Sequence, residues 1–170
     1  LFLATEENMR FMSELRKAVV TPHNVMIGGG GRVGSALAEK LESIYNIKII
    51  EKDKYHAKLI SQNLNSAVVL NDDVADETML KNENIDEVDY FCAVTNDDQM
   101  NILSAKLAKD MGAKRTIAIV NKSSYRNLVS KEIDIVVSPE DITIGSLLAA
   151  VRASDILSVH QIATGDGEAM

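Results

Sequence analysis

The sequence is short of the residues that most often announce chemistry: one cysteine, three histidines, and no apolar run long enough to span a membrane among 170 residues. A lone cysteine rules out an internal disulfide framework, which fits a reducing compartment. Cys92 lies inside the apolar run YFCAV, the setting of a buried inert thiol, whereas a nucleophile wants a polar, electropositive one. Basic residues are outnumbered 18 to 25, and the net charge of -7 argues against a surface built for nucleic acid or anionic lipid. No stretch approaches the roughly 18 apolar residues of a transmembrane helix, and no signal peptide is visible, so the expected location is the cytoplasm. Histidines stand singly and no cysteine cluster exists, so no metal-ligand spacing is present.

What is present is an ordinary globular composition, 46% hydrophobic, enough for one core of domain size. Thr5 to Val19 reads as an amphipathic helix closed by Thr21-Pro22, a connector spanning residues 1–22. From residue 23 onward, short β-branched runs alternate with helical patterns: NVMI, IKIIE, AVVL, DYFCAV, RTIAIV and DIVVS are the strands. Between them fall helices, with Val33, Leu37, Leu41 and Ile44 on one stripe and Met100, Leu103, Leu107 and Met111 on another. Near-continuously apolar strands alternating with helices predict an α/β, Rossmann-like doubly wound fold, a mainly parallel sheet covered on both faces. A last helix begins at SPED, with Ser138 as cap, Pro139 in the first turn, and Ile144, Leu147, Leu148 and Val151 on a wide apolar face. It serves either as packing on the sheet edge or as a bridge to another domain or subunit. The Rossmann-like body is expected over 23–153, with 154–170 opening a further subdomain. The start without methionine and the strand-like close read as a piece of a longer polypeptide.

The stretch VMIGGGGRVGSALAEKLE carries the chemistry. Four consecutive glycines are entropically costly, and a turn alone rarely needs so many. Gly29, Gly31 and Gly34 form G-x-G-x-x-G between a predicted strand and a predicted helix: the first permits the tight turn, the second admits a pyrophosphate, the third lets helix and strand pack closely. The phosphates would lie on free N–H groups at the positive end of the helix dipole. Arg32 and Val33 continue the turn, and Arg32 lies along the pyrophosphate or points to solvent, with both open. Glu51, 20 positions beyond Gly31, stands where a carboxylate accepts hydrogen bonds from both ribose hydroxyls and repels a 2′-phosphate. NAD(H), ADP or ATP is therefore the expected ligand, with Lys52 and Lys54 weakening the exclusion of NADP. LNDDVAD and TNDDQMN fall at strand ends, where Asp72, Asp73 and Asp97 serve the ligand or cap helices; for Asp97 the cap is the better reading.

Groups for turnover are wanting. A dehydrogenase needs a proton donor or acceptor near the nicotinamide. His23 stands beside a proline ahead of the first strand, His56 on an exposed helix pattern, and His160 beyond the fold; no Tyr-x-x-x-Lys occurs where a short-chain reductase carries it. The ligand reads as held, not consumed.

Through MSELRK, VMIGGGGRVGSALAEKLE, KIIEKD, NIDEVDYFCAVTNDDQMNILSAKLAKDMGAKR and SPEDITIGSLLAAVR, the chain resembles the RCK, or regulator of potassium conductance, domains of Trk-type potassium-uptake systems. In such chains two halves stand in tandem, and this one resembles the second Rossmann-like domain. The resemblance implies a non-enzymatic gating subunit, cytoplasmic and peripheral on the inner face of the cell membrane. Homo-oligomeric rings of such domains dock on an integral membrane potassium transporter and change shape with nucleotide. It implies NAD(H), with ADP and ATP, as ligands, and by position it gives Gly29, Gly31 and Gly34 to the phosphates and Glu51 to the ribose. Asp73 and Val74 would take the adenine end, and Thr95 and Asn96 the far side. Where the family has glycine before the acid of its Gly-Asp pair this chain has Asp72, which adds a side chain and a charge beside the cleft. Two other readings stay open: the nucleotide-binding half of an NAD-dependent oxidoreductase, and a structural module with a vestigial cleft.

Overall fold

Valine and isoleucine restrict their own side-chain rotamers and suit a pleated surface buried on both faces, and the six apolar runs become six strands. In the computed structural model, which describes residues 24–129 and 131–163 with the side chains of 127 and 153–163 excepted, these are β1 (Asn24–Gly28), β2 (Asn46–Ile50), β3 (Val68–Leu70), β4 (Tyr90–Ala93), β5 (Arg115–Ile119) and β6 (Ile135–Val137). Helices α1 (Arg32–Leu41), α2 (Lys54–Asn63), α3 (Glu77–Asn82), α4 (Asp98–Asp110), α5 (Ser123–Val129) and α6 (Pro139–Ala163) alternate with them. Every strand pairing is parallel, in the order β3-β2-β1-β4-β5-β6. The doubly wound fold expected from the alternation is the one that forms. The expected connector helix lies outside the described residues.

Each face of the sheet carries its own core. Val25, Ile27, Ile47, Ile49, Cys92 and Val94 pack under Ala38 of α1 and Ile60 of α2. Met26, Ile50, Phe91, Ala93 and Ala118 pack under Leu80 of α3, Ala105 and Ala108 of α4, and Val129 of α5. Burial pushes the Cys92 thiol up to about 12, so it remains protonated and inert at neutral pH. Residues Thr21–Ser138 form one compact unit, and α6 belongs to another.

Two helices keep only part of the expected stripes inward. On α1 the buried residues are Gly34 and Ala38, with Leu37 and Leu41 packed at the edge; Val33 is exposed, and Ile44, also exposed, falls beyond the helix end. On α4 Met100 and Leu107, with Met111 just past its end, pack against the core as expected, while Leu103 points outward and Asn101, Ser104, Ala105 and Ala108 are buried. Both helices approach the strands so closely that small side chains occupy the contact line and larger ones are displaced to its margins. The polar pair on α4 satisfies itself locally: Ser104 Oγ donates to the Met100 carbonyl at 2.7 Å, and Asn101 bonds to two strand ends.

Candidate functional site

Three parallel strands end at one level. Gly28 of β1 pairs with Ile50 of β2 on one side and Ala93 of β4 on the other. The closing bonds run from Gly29 N–H to Ile50 O at 2.9 Å, Val94 N–H to Gly28 O at 2.8 Å and Glu51 N–H to Leu70 O at 2.9 Å. Strand order reverses here, since β1 is followed in space by β2 on one side and β4 on the other, and a crevice opens above such a point.

The glycine turn is shaped by what crowds it. A Cβ on Gly28 would strike Val74, and one on Gly34 would run into the Gly29 carbonyl, which sets how close α1 sits to the turn. Gly29 has φ +107, a left-handed conformation, and its missing Cβ would stand 2.9 Å from the Thr95 backbone. Gly30 leaves room for Ile60 and for Glu51 Oε2. Gly31 differs from all of them: nothing lies within 4 Å of where its Cβ would be. It is the residue just before α1, extended at φ -62 and ψ -171, and no side chain caps the helix. The free N–H groups of the first turn therefore adjoin open space.

Glu51 sits at the end of β2 with its side chain 14% exposed. Its Oε2 accepts from the Gly30 N–H at 3.0 Å and its Oε1 from the Asp53 N–H at 2.8 Å. Each oxygen retains a lone pair. His56 Nδ1 stands 3.6 Å from Oε2, so this histidine turns toward the carboxylate, against the expectation of a merely exposed helix position. The cause is Asp53, which caps α2 by accepting from the His56 N–H at 2.6 Å and so places His56 in the first turn, above Glu51.

Farther along this side Lys52 Nζ donates to Asp73 Oδ2 at 2.8 Å. That bond, with the Ala75 N–H on Oδ1 at 3.0 Å, holds the Asp73 carboxyl below the usual carboxylate range. Asn71 Nδ2 donates to the carbonyls of Glu51 and Lys52 at 2.9 Å each, tying the β2 and β3 ends together. Asp72 is exposed and accepts from the Asp73 N–H at 2.8 Å, which fixes its carboxylate beside the cleft.

On the β4 side Thr95 lies against the glycine turn. Its N–H and hydroxyl donate to Asn101 Oδ1 at 2.8 and 2.6 Å. Asp97 caps α4 as expected, accepting from the N–H groups of Gln99 and Met100. One residue on, buried Asp98 accepts from the Asn121 and Lys122 N–H groups and from Asn121 Nδ2. Burial works to raise the Asp98 carboxyl, but those bonds and the Lys122 charge outweigh it and hold it below its ordinary value.

Over residues 25–139 the sequence matches the TrkA-N domain family. The chain belongs to that family. The Trk system potassium uptake protein TrkA of Halomonas elongata is 43% identical over 171 residues, covering 99% of this chain and 37% of the relative. The chain thus spans little more than a third of that relative's length. Among solved structures it is similar to the TrkA-N domain of the inner membrane protein ybaL from Escherichia coli, with TM-score 0.68 and 17% identity over 78% of this chain and 98% of that one. It is also similar to the GsuK channel bound to NAD, with TM-score 0.60 and 15% identity over 78% of this chain and 26% of that one. Among the described residues of this TrkA-N domain no helix is long and apolar enough to cross a membrane.

A cleft of ≈ 420 Å³ gathers most of the candidate residues of the TrkA-N domain: Gly29, Gly31, Glu51, Asp73, Val74, Thr95 and Asn96 all line it. Arg32, Val33 and Gly34 do not. Arg32 and Val33 are exposed on the first turn of α1, and Gly34 is buried beneath it. Lys52, His56 and Met100 also line the cleft and were missed as site residues. The signal for His56 was available, since an Asp three residues ahead of it is an N-cap pattern.

Proposed function

We propose that this cleft binds NAD(H), or the adenine nucleotides ADP and ATP, and that the chain is a nucleotide-reading regulatory piece of a Trk-type potassium-uptake system. The observation that carries the reading is the uncapped start of α1 beside the open space at Gly31, faced across the turn by the Glu51 carboxylate. Free N–H groups suit phosphate oxygens, and the lone pairs left on Glu51 suit ribose hydroxyls and disfavour a 2′-phosphate. In this reading Asp73 and Val74 meet the adenine end, and Thr95 and Asn96 the far half.

The ligand is bound and released without reaction. Thr95, Asn96 and Met100 on the far side offer contacts, not proton transfer, and Asp97 there is engaged as a helix cap. In this reading the compact body that ends at Ser138 acts with residues 1–22 as connector, and the segment from α6 onward leads into a further subdomain. It works in a ring with other copies, in the cytoplasm, against an integral membrane potassium transporter. The name of the Halomonas elongata relative and the NAD held by the GsuK channel support this assignment.

Nucleotide can bias such a ring only by binding one of its conformations more tightly. A tenfold difference is about 1.4 kcal/mol per site, and several sites in one ring multiply that bias. The test is calorimetric titration of the chain with NADH, NADPH, ADP and ATP at fixed salt. Binding of NADH and the adenine nucleotides with rejection of NADPH is expected. Silence from all four, or steady turnover of NADH with a small carbonyl substrate, would defeat the proposal.

A further inference from the structure

We propose that Asn101 is a positioning residue for this cleft: by fixing the Thr95–Asn96 wall it gives the site its hold on the half of a dinucleotide beyond the pyrophosphate. The inference rests on the nucleotide reading above and goes past it, to a side chain that touches no ligand.

Asn101 lies near the start of α4 and has no exposed surface. Asparagine is disfavoured in a helix interior, and a buried amide without partners is costly, so a fully buried helical asparagine calls for bonds that account for it. They are present. Its Oδ1 accepts from the Thr95 N–H at 2.8 Å and from the Thr95 hydroxyl at 2.6 Å. Its Nδ2 donates to the Thr95 carbonyl at 3.0 Å and to the Ile119 carbonyl at 2.9 Å. Both donors and both acceptor positions of the amide are used.

The arrangement locks one residue from two sides. The β4–β5 ladder has its last residue pair at Ala93 and Ala118, and Asn101 bridges the strand ends beyond it. Thr95 is pressed from the front by the glycine turn, where a Cβ on Gly29 would meet its backbone at 2.9 Å. Asn101 holds it from behind. The Thr95 hydroxyl donates to Asn101 and accepts from the Asp97 N–H at 3.2 Å, so it is held by the start of α4.

The ligand's course makes this wall matter for one half only. Glu51 stands on the β2 side for the ribose, the glycine turn is central for the pyrophosphate, and the remainder of a dinucleotide must cross the end of β4, where Thr95 and Asn96 line the cleft. ADP ends at the pyrophosphate. A shifted wall should therefore be felt by NADH and hardly by ADP.

The test is calorimetric titration of the chain and of Asn101→Asp with NADH and with ADP, each protein also melted thermally. Aspartate keeps the acceptor for the Thr95 N–H and hydroxyl but loses both donations, setting oxygen against the Thr95 and Ile119 carbonyls. NADH affinity is expected to fall at least about tenfold while ADP stays within about twofold. A merely structural role would lower the melting temperature and weaken both ligands alike. Thr95→Val keeps the question answerable if Asn101→Asp fails to fold, because Thr95 is only partly buried. The valine removes the hydroxyl that Asn101 holds and should reproduce the split. Equal losses for the two nucleotides, or unchanged NADH binding in both Asn101→Asp and Thr95→Val, overturn the inference alone. A parent chain that takes neither nucleotide defeats the underlying reading, and this inference falls with it.

Discussion

Gly31→Val separates a lesion in binding from a lesion in folding. A valine Cβ at this position meets nothing within 4 Å, and φ -62 with ψ -171 is backbone that a β-branched residue accepts. The change in folding stability should therefore be that of an ordinary surface substitution, about 0.5 kcal/mol, with a small further loss because glycine is the better N-cap. Binding should respond very differently. The branched side chain fills the space beside the first-turn N–H groups, where two charge-assisted hydrogen bonds to a pyrophosphate would form. Those contribute about 1.5–3 kcal/mol each, so NADH affinity should fall on the order of a hundredfold or more. Gly34→Ala is the opposite control. Its single methyl would run into the Gly29 carbonyl, so α1 must lift from the turn, at a cost of about 1–3 kcal/mol in stability. Thermal melts with parallel titrations decide the matter. Parent-like NADH binding in Gly31→Val would place the phosphates elsewhere, and early melting of that variant would mean the space beside Gly31 is not open.

Glu51→Gln should weaken NADH by about 1–3 kcal/mol, since an amide cannot serve two backbone N–H groups and two ribose hydroxyls at once, and it should weaken NADPH less because the repulsion of a 2′-phosphate goes with the charge. Equal weakening in a calorimetric comparison would show that Glu51 does not face the ribose. Lys52→Ala should leave the melting temperature nearly where it is, because an exposed ion pair contributes little, while lowering NADPH affinity further by removing a nearby cation; a rise in NADPH affinity would contradict the assignment. Asp98 titrates below its ordinary value in the folded chain, so its stabilisation is complete above the unfolded carboxylate pKa of about 3.9 and is lost as pH falls through the lower folded value. Melts between pH 7 and pH 3 should show Asp98→Asn less stable at pH 7 and losing less on acidification; parallel curves for the two proteins would disprove that linkage.

The sequence revealed the topology more fully than the packing. Strand runs such as VMI and FCAV are apolar without alternation, and that pattern predicted a sheet covered on both faces. The helical stripes misled because periodicity reports which side is apolar and not which residues fit the narrowest gap. Where α1 meets the turn through Gly34 and Ala38, the bulkier Val33 is turned out, and along α4 Leu103 yields to Asn101 and Ser104. A buried asparagine carries no mark in a pattern of polar and apolar letters. Its burial depends on two carbonyls, of Thr95 and Ile119, whose positions exist only once β4 and β5 lie side by side. The glycines were legible because their spacing relative to a strand and a helix is local, but Gly28 and Gly30 were not separable from their neighbours. Their reasons, Val74 and Glu51, arrive from the segments that follow β3 and β2, more than twenty residues away.

The two sides of the cleft are held by different means, which bears on how a bound ligand could act. On the β2–β3 side the walls beyond the strand ends meet through the Lys52–Asp73 pair and the Asn71 amide on the Glu51 and Lys52 carbonyls. These contacts are exposed, so water and salt compete and each separates at little cost. On the β4 side Thr95 is fixed by a buried, fully satisfied amide, and Asp98 on the same helix fastens the β5–α5 connection. Breaking that network would leave buried polar groups unpaired, which costs far more than releasing a surface ion pair. A ligand spanning both sides therefore finds one rigid wall and one yielding wall. If nucleotide binds as proposed, movement coupled to it is expected on the yielding side, around residues 71–73, because a conformational equilibrium within reach of a difference of about 1–2 kcal/mol in ligand affinity must itself be shallow.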